Sequence, residues 1–201
     1  MMTITYPVKR GLYVNMTNRC PCACTFCLRK NGDSVYGSDP LWLDREPTVE
    51  EICRSIDQAD PFRYEEIVFC GYGEPTERLD ELLEVAAYLK KKGDIKIRIN
   101  TNGLADLIAG ERCAPRLQGL IDTVSVSLNA TCAEDYLRIV RPTFGIGSYE
   151  AMLRFTKDCT SFVPHVVMTV VDVVTSPEEQ EKSRRICEEL GATLRIRPYE
   201  G

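Results

Sequence analysis

The stretch that decides the fold, "NRCPCACTFC", runs from Asn18 to Cys27 and holds four cysteines in ten residues. It follows the β-like run "GLYVNMT" at 11–17, so we expect the cysteines on the first strand-to-helix loop. In barrels of alternating strands and helices, such loops gather at the carboxyl ends of the strands, where active sites lie. The spacing of the four thiols therefore bears directly on function.

Cys20, Cys24 and Cys27 have the spacing C-x3-C-x2-C. Three thiolates can hold three irons of a cubane cluster and leave the fourth iron open, whereas ordinary ferredoxin runs supply four ligands with another spacing. A structural zinc site also needs four ligands and a closed shell. Cys22 is available as a fourth ligand, but neighbours two residues apart are awkward around one metal. We predict that Cys22 is not a ligand.

Short β-like runs alternate with helix signals along the chain. The runs lie at 11–17, 66–71, 94–101, 122–129, 164–173 and 192–198. This alternation implies parallel strands with right-handed crossovers. Because 201 residues are few for a closed eight-stranded barrel, we predict an α/β partial (β/α)6 TIM-like barrel. It would form one domain over residues 1–201, with a cluster loop at 18–30 and a long covering loop at 30–47.

Helix signals separate the runs. Thr48 and Glu51 form a capping-box pattern that opens a helix through about Ala59. The segment 77–93 has apolar residues at helical spacing, acids first and lysines last. A third helix has Ser176 as its predicted cap and Gly191 as its stop.

Within three predicted strands, polar side chains share one face. They are Arg98, Asn100 and Asn102; Ser125, Ser127 and Asn129; and Arg195 and Arg197. Helices must cover the apolar faces, so the polar faces are expected to point into the barrel and bind a large polar ligand. The alternative is an edge or solvent-facing sheet.

Composition excludes several classes of function. The net charge is −5, which argues against bulk electrostatic capture of nucleic acid or anionic membrane. No apolar run is long enough to span a membrane, and the first residues lack a signal-peptide core, so we predict a cytoplasmic protein. Cysteines in that compartment rarely form disulfides. The six outside the first loop are expected to be small buried apolar residues: Cys53, Cys70, Cys113, Cys132, Cys159 and Cys187.

Four ordered motifs resemble the radical S-adenosylmethionine (SAM) superfamily. The cysteine motif matches the C-x3-C-x-aromatic-C hallmark, with Phe26 as the aromatic residue. "GYGEP" at 71–75 resembles the family's G-G-E-P turn, with Tyr72 inserted between the glycines. "NTNG" at 100–103 and "VSLN" at 126–129 follow the third and fourth predicted strands, and "YLRIVRP" at 136–142 resembles the segment that often follows.

The resemblance implies a [4Fe-4S] cluster on Cys20, Cys24 and Cys27, with SAM on the open iron. It implies SAM contacts from the turn and strand ends, with Gly73 favoured over Gly71 against the SAM amino group. Glu74 would accept a hydrogen bond from that group or brace the turn, and Arg141 or Arg138 would pair with the SAM carboxylate. The implied SAM-binding residues are Phe26, Gly71, Tyr72, Gly73, Glu74, Asn100, Asn102, Ser125, Ser127, Asn129 and Arg141.

The implied reaction is reductive cleavage of SAM to a 5′-deoxyadenosyl radical, which removes hydrogen from a substrate. A flavodoxin or ferredoxin would supply the electron. More narrowly, the N-terminal third is similar to small radical SAM proteins associated with TatD-type hydrolases, so such a hydrolase is an expected partner in the same pathway. Alternatives are a glycyl-radical activase, an enzyme like carboxy-deazaguanine synthase, and an iron–sulfur or zinc scaffold without turnover.

Other residues carry weaker signals. Arg195 and Arg197 are candidates for binding an anionic substrate group, unless they close the barrel by pairing with acids. The loop at 30–47, with Tyr36 and Trp42, is long for such a connection and is expected to cover the cluster or pack on the surface. His165, the single histidine, begins a predicted strand and is expected to be structural.

Overall fold

A computed structural model describes residues 2–199 of the chain. Within this range one sheet has its strands in chain order, β1 to β7. The first two strands form an antiparallel hairpin, and every later neighbour is parallel. The strands are β1 (Thr5–Val8), β2 (Gly11–Val14), β3 (Glu66–Phe69), β4 (Ile97–Thr101), β5 (Thr123–Ser127), β6 (His165–Val171) and β7 (Thr193–Arg197).

Helices connect the parallel strands. They are α1 (Val49–Gln58), α2 (Leu79–Lys92), α3 (Ala105–Ala109), α4 (Ala133–Val140), α5 (Ser148–Cys159) and α6 (Pro177–Leu190), with short 3₁₀ turns between them. Thr48 and Ser176 form complete capping boxes with Glu51 and Glu179, which satisfy backbone groups at the first turns of α1 and α6. Gly191 ends α6 with a φ of +78°, a conformation that favours glycine.

All six predicted strands are present, and the predicted α/β class is confirmed. Strand β1 was not predicted, because "TYPV" is short and contains a proline, which is tolerated at a sheet edge. It pairs with β2 from Thr5 opposite Val14 to Val8 opposite Gly11. The prediction of six strands was therefore one strand short.

The two faces of the strands have different environments. Side chains such as Ile97, Ile99, Val124 and Val126 are at most 1% exposed and belong to the core cluster that includes the helices. The opposite faces of β2, β4, β5, β6 and β7 line one cavity. Strands at opposite ends of a sheet can share a cavity only if the sheet curls strongly, so the molecule is a partial barrel with a polar interior, as predicted.

His165 is exposed at the amino end of β6 and is not part of the cavity wall. Its backbone N–H donates to Asp122 O at 3.1 Å, in keeping with the structural role expected for this position.

Candidate active site

The cavity inside the partial barrel has a volume of about 320 Å³. The cysteine loop, the "GYGEP" turn, the loop at 30–47 and the strand interiors all contribute to its wall. Of the predicted site residues, those on the wall are Cys20, Cys24, Cys27, Phe26, Gly71, Tyr72, Gly73, Asn100, Ser125, Ser127, Arg195 and Arg197.

The four cysteines of the first loop divide into two groups. Cys20, Cys24 and Cys27 are partly exposed on the cavity wall, whereas Cys22 is 5% exposed and packs in the core. Asn102 Nδ2 lies 3.6 Å from Cys22 Sγ, and neither residue lines the cavity. The structure therefore presents to the cavity the same three thiols that the spacing singled out.

The thiols of the cysteine loop differ in pKa. A hydrogen bond from Cys22 lowers the pKa of the Cys20 thiol, and burial raises the pKa of Cys24 to about 12. Donating that bond, together with burial, raises the pKa of Cys22 far above its ordinary value. Thiolates are the metal-binding form, so metal binding here would release protons.

Within residues 2–199, no three His, Cys, Asp or Glu side chains come together closely enough to hold a single metal ion. Thiolates on a cubane bind separate irons and need not converge on one point. Three sulfurs on the wall of a cavity that also has room for a small molecule fit a cluster with one open iron better than a closed zinc site.

Backbone pairing holds the cysteine loop in place. Ala23 N donates to Val140 O at 3.1 Å, Thr25 N donates to Ile139 O at 2.9 Å, and Cys22 bridges Pro142. The end of the "YLRIVRP" segment, residues 139–142, thus pairs with the cysteine loop through its backbone. It is part of the scaffold of the cysteine motif.

Arg141 and Arg138 lie in a separate surface groove together with Asp172 and Glu179, not in the cavity. Arg141 ends α4 in the left-handed region, with a φ of +52°. Neither arginine lines the cavity, and the chain around them pairs with the cysteine loop. Their expected role as a partner of the SAM carboxylate stays a prediction.

Gly71 and Gly73 are needed for close backbone approach. A Cβ on Gly71 would lie 2.1 Å from Asn15 Oδ1, and one on Gly73 would lie 2.2 Å from Thr17 O and 2.6 Å from Arg19 O. These contacts join the "GYGEP" turn to the start of the cysteine loop. The glycines therefore position the two loops against each other, and both also line the cavity.

Glu74 is 4% exposed and lies behind the cavity wall. Its carboxylate accepts hydrogen bonds from Thr101 Oγ1 and Asn102 N at 2.7 Å, and from Thr76 N and Oγ1 at 3.2 and 2.8 Å. Burial raises its pKa, and these hydrogen bonds oppose the shift. Of the two roles expected for Glu74, this geometry supports bracing the turn.

The strand ends supply short polar groups to the cavity. Asn100 on β4 pairs in register with Ser125 on β5, and Ser127 follows two residues later on the same face. Asn102 and Asn129 are buried outside the wall. Asn102 Oδ1 accepts from Leu104 N at 2.9 Å, and Asn129 adopts a φ of +56°. Neither asparagine lines the cavity, and their expected contacts with SAM stay a prediction.

The long loop at 30–47 packs over the "GYGEP" turn. Tyr72 OH donates to Gly32 O at 2.7 Å, and Trp42 packs edge-on against Tyr72 with ring centroids 5.1 Å apart. Leu41 and Tyr36 contribute to the cavity wall. The loop therefore forms part of the cavity rather than a separate surface feature.

The sequence did not point to Tyr13 or Cys70 as site residues, and it gave Arg98 no role beyond membership of the polar face expected to point into the barrel. Arg98 lines the cavity and pairs with Glu66 at 2.6 Å, while Tyr13 and Cys70 lie on the adjoining wall. The alternation of β4 placed Arg98 on the polar face, which was a usable signal. The expectation of a buried cysteine was wrong for Cys70 and Cys132, which are both partly exposed. Cys70 directly follows β3 and lines the cavity.

Comparison with known proteins decides the family. The sequence profile of the Radical SAM superfamily matches residues 14–189, which span the cysteine loop and the strands β3 to β6. The chain belongs to the radical SAM superfamily. Members of this superfamily use a [4Fe-4S] cluster and SAM. No helix formed by residues 2–199 has the length and apolar character needed to cross a membrane.

Two relatives illustrate the range of activities. The chain is 28% identical over 194 residues to GTP 3′,8-cyclase 2 of Mycobacterium bovis, covering 94% of this chain and 50% of the cyclase. The chain is also 28% identical over 177 residues to a Methanocaldococcus jannaschii protein named for activating glycyl-radical enzymes. The match covers 83% of this chain and 67% of the Methanocaldococcus jannaschii protein. This radical SAM chain thus spans about half the length of the cyclase.

A solved structure supports the architecture. A radical SAM methyltransferase from Sphaerobacter thermophilus superimposes with a TM-score of 0.65 and 21% identity, covering 96% of this chain and 56% of the methyltransferase. At this identity the likeness concerns the fold alone.

Proposed function

We propose that this chain is a radical SAM enzyme whose cluster is held by Cys20, Cys24 and Cys27. When bound, the cluster and SAM supply a 5′-deoxyadenosyl radical that abstracts hydrogen from a substrate. The observation that carries the proposal is the separation of the four loop cysteines, with three on the cavity wall and Cys22 in the core. The protein contributes position and exclusion of water.

The wall next to the three cysteines is suited to SAM. Gly71 and Gly73 bring backbone groups to the cavity, and Asn100, Ser125 and Ser127 offer short donors and acceptors for ribose or carboxylate. Asn100 Oδ1 is buried and has no hydrogen-bond partner in the structure, which supports a ligand at this position. Phe26 lies on the same wall, where an aromatic ring limits access of water to the cluster.

The test is anaerobic reconstitution with iron and sulfide, followed by SAM and dithionite. The proposal expects a protein-bound [4Fe-4S] cluster by electron paramagnetic resonance, together with formation of 5′-deoxyadenosine and methionine. A protein that binds zinc in place of iron and leaves SAM intact would support the scaffold alternative instead.

A glycyl-radical activase is the second candidate, and the Methanocaldococcus jannaschii relative favours it. An activase acts on a protein, so it should generate a glycyl radical in a polypeptide partner. An enzyme like carboxy-deazaguanine synthase would instead bind a pterin and magnesium. Incubation with each substrate class, scored by substrate-dependent 5′-deoxyadenosine, separates these alternatives.

We also propose a cytoplasmic location and a flavodoxin or ferredoxin as reductant. All ten cysteines are free in the structure, which is consistent with a reducing compartment. A functional link to a TatD-type hydrolase rests on the likeness of the N-terminal third. It is tested by asking whether the reaction product is a substrate of such a hydrolase.

A further inference from the structure

We infer that the cavity binds a substrate carrying an oxyanion, a carboxylate or a phosphate, through Arg195 and Arg197 of β7. Naming the ligand a substrate rests on the function proposed above. The inference itself concerns a binding site that none of the superfamily motifs requires.

The two arginines share the inner face of β7. Arg195 pairs in register with Thr169 of β6, and Arg197 pairs with Val171; all four line the cavity. Arg98 of β4 and Tyr13 of β2 also line the cavity. Arg98 Nη2 lies 3.5 Å from the Tyr13 hydroxyl oxygen. Strands β2, β4 and β7 therefore direct polar side chains into one space.

Among the aspartate, glutamate, lysine and arginine side chains of residues 2–199, only basic ones line the cavity. These five basic residues are Lys9, Arg29, Arg98, Arg195 and Arg197. The chain as a whole carries a net charge of −5, so the concentration of positive charge is local. Clefts lined by one sign of charge attract ligands of the opposite sign.

Arg98 has a counter-ion, whereas the β7 arginines have none among residues 2–199. Arg98 pairs with Glu66 at 2.6 Å. Within residues 2–199, neither Arg195 nor Arg197 forms an ion pair with an acid, so the alternative that they close the barrel by pairing is not supported by that part of the chain. Arg197 Nε is also buried without a hydrogen-bond partner. A guanidinium in this state is stabilised by an anion that binds in a bidentate manner.

The β7 arginines lie two strands away from the residues of β5 that we expect to contact SAM. Ser127 on β5, Thr169 on β6 and Arg195 on β7 lie side by side across three strands. The two strand spacings from β5 to β7 amount to about 10 Å, so a molecule held by β7 would lie beside SAM held at β5. This is the arrangement required for hydrogen transfer between two bound molecules.

Anion binding is measured by isothermal titration calorimetry on the anaerobically reconstituted protein, first without SAM and then with saturating SAM, and without reductant in both cases. The probes are inorganic phosphate and succinate, which separate a phosphate from a carboxylate preference. We expect at least one to bind, and we expect Arg195→Gln/Arg197→Gln to weaken it by about tenfold or more. Arg197→Lys keeps the positive charge but loses the bidentate geometry of the guanidinium, so it should retain part of the affinity for the anion.

Arg185→Gln is the matched control, because it removes the same charge from an exposed position on α6. The inference is wrong if neither probe binds, if the double variant binds as tightly as the parent, or if Arg185→Gln weakens binding equally. Circular dichroism shows whether each variant is folded. If the double variant is not folded, the affinity of Arg197→Lys for the probes is compared with that of the parent instead.

The SAM carboxylate is the competing anion. If the double variant weakens SAM binding by about tenfold and saturating SAM abolishes phosphate and succinate binding to the parent, the arginines hold SAM and the inference fails. Because no turnover is required, this result is independent of 5′-deoxyadenosine formation, on which the proposed function depends.

Discussion

Asn102 Nδ2 lies 3.6 Å from Cys22 Sγ, which ties the one loop cysteine that does not line the cavity to the segment after β4. The neighbouring residue Thr101 bonds to Glu74, so the cysteine loop, the "GYGEP" turn and the end of β4 form one buried network. The cavity depends on this network for its shape.

Cys22→Ala should retain the cluster and lose stability. The side chain is 5% exposed and packs in the core, so truncation removes buried contacts worth about 1 kcal/mol. Iron and sulfide content should match the parent, while urea unfolding of the apo protein should shift to lower denaturant. Loss of iron on this substitution would instead assign Cys22 to the cluster.

The alternation of strands and helices was predictable because each element carries a local signal, such as the Thr48 and Ser176 caps. The cysteine loop was also predictable, because ligand spacing is a local property. The positions of Arg141 and Glu74 were not, since they depend on which segments pair across the barrel. Arg98 was on the face expected to point into the barrel, whereas Cys70 joins the site only because the sheet curls.

Gly73→Ala should disrupt the contact between the two loops. The added Cβ would lie 2.2 Å from Thr17 O, a backbone atom that cannot easily move. We expect a loss of stability of about 2 kcal/mol or more and reduced cluster incorporation, by urea unfolding and iron content. Gly147→Ala is the control, because nothing lies within 4 Å of a Cβ at that position. Equal effects of the two substitutions would contradict the packing explanation.

Glu74→Gln should lower stability, because one carboxylate oxygen becomes an NH₂ group facing an N–H of Asn102 or Thr76. Leaving a buried donor unpaired costs about 1–3 kcal/mol. This substitution should also change the pH dependence. Burial raises the pKa of Glu74 above 4.5, so the folded state binds more protons there than the unfolded state.

The stability contributed by Glu74 therefore decreases as pH rises from about 4.5 toward its folded pKa. Urea unfolding of apo parent and Glu74→Gln at several pH values should show the difference between them shrinking over this range. A difference that grows with pH would mean that the hydrogen bonds outweigh burial and lower the pKa.

Arg141→Gly should be tolerated. Arg141 adopts a φ of +52° at the end of α4, where glycine is favoured, so stability should rise by up to about 1 kcal/mol. Because Arg141 lies outside the cavity, the affinity for SAM should stay within about twofold of the parent. A large loss of SAM affinity with a normal fold would support the carboxylate role expected from the family resemblance.

The central claim is that Cys20, Cys24 and Cys27 hold a cluster that cleaves SAM. It is tested most directly by 5′-deoxyadenosine formation in reconstituted parent, Cys20→Ala, Cys24→Ala, Cys27→Ala and Cys22→Ala, with SAM and dithionite. The account predicts product from the parent and from Cys22→Ala, and none from the other three. Product from any of those three, or no product from a parent that carries the cluster, would contradict it.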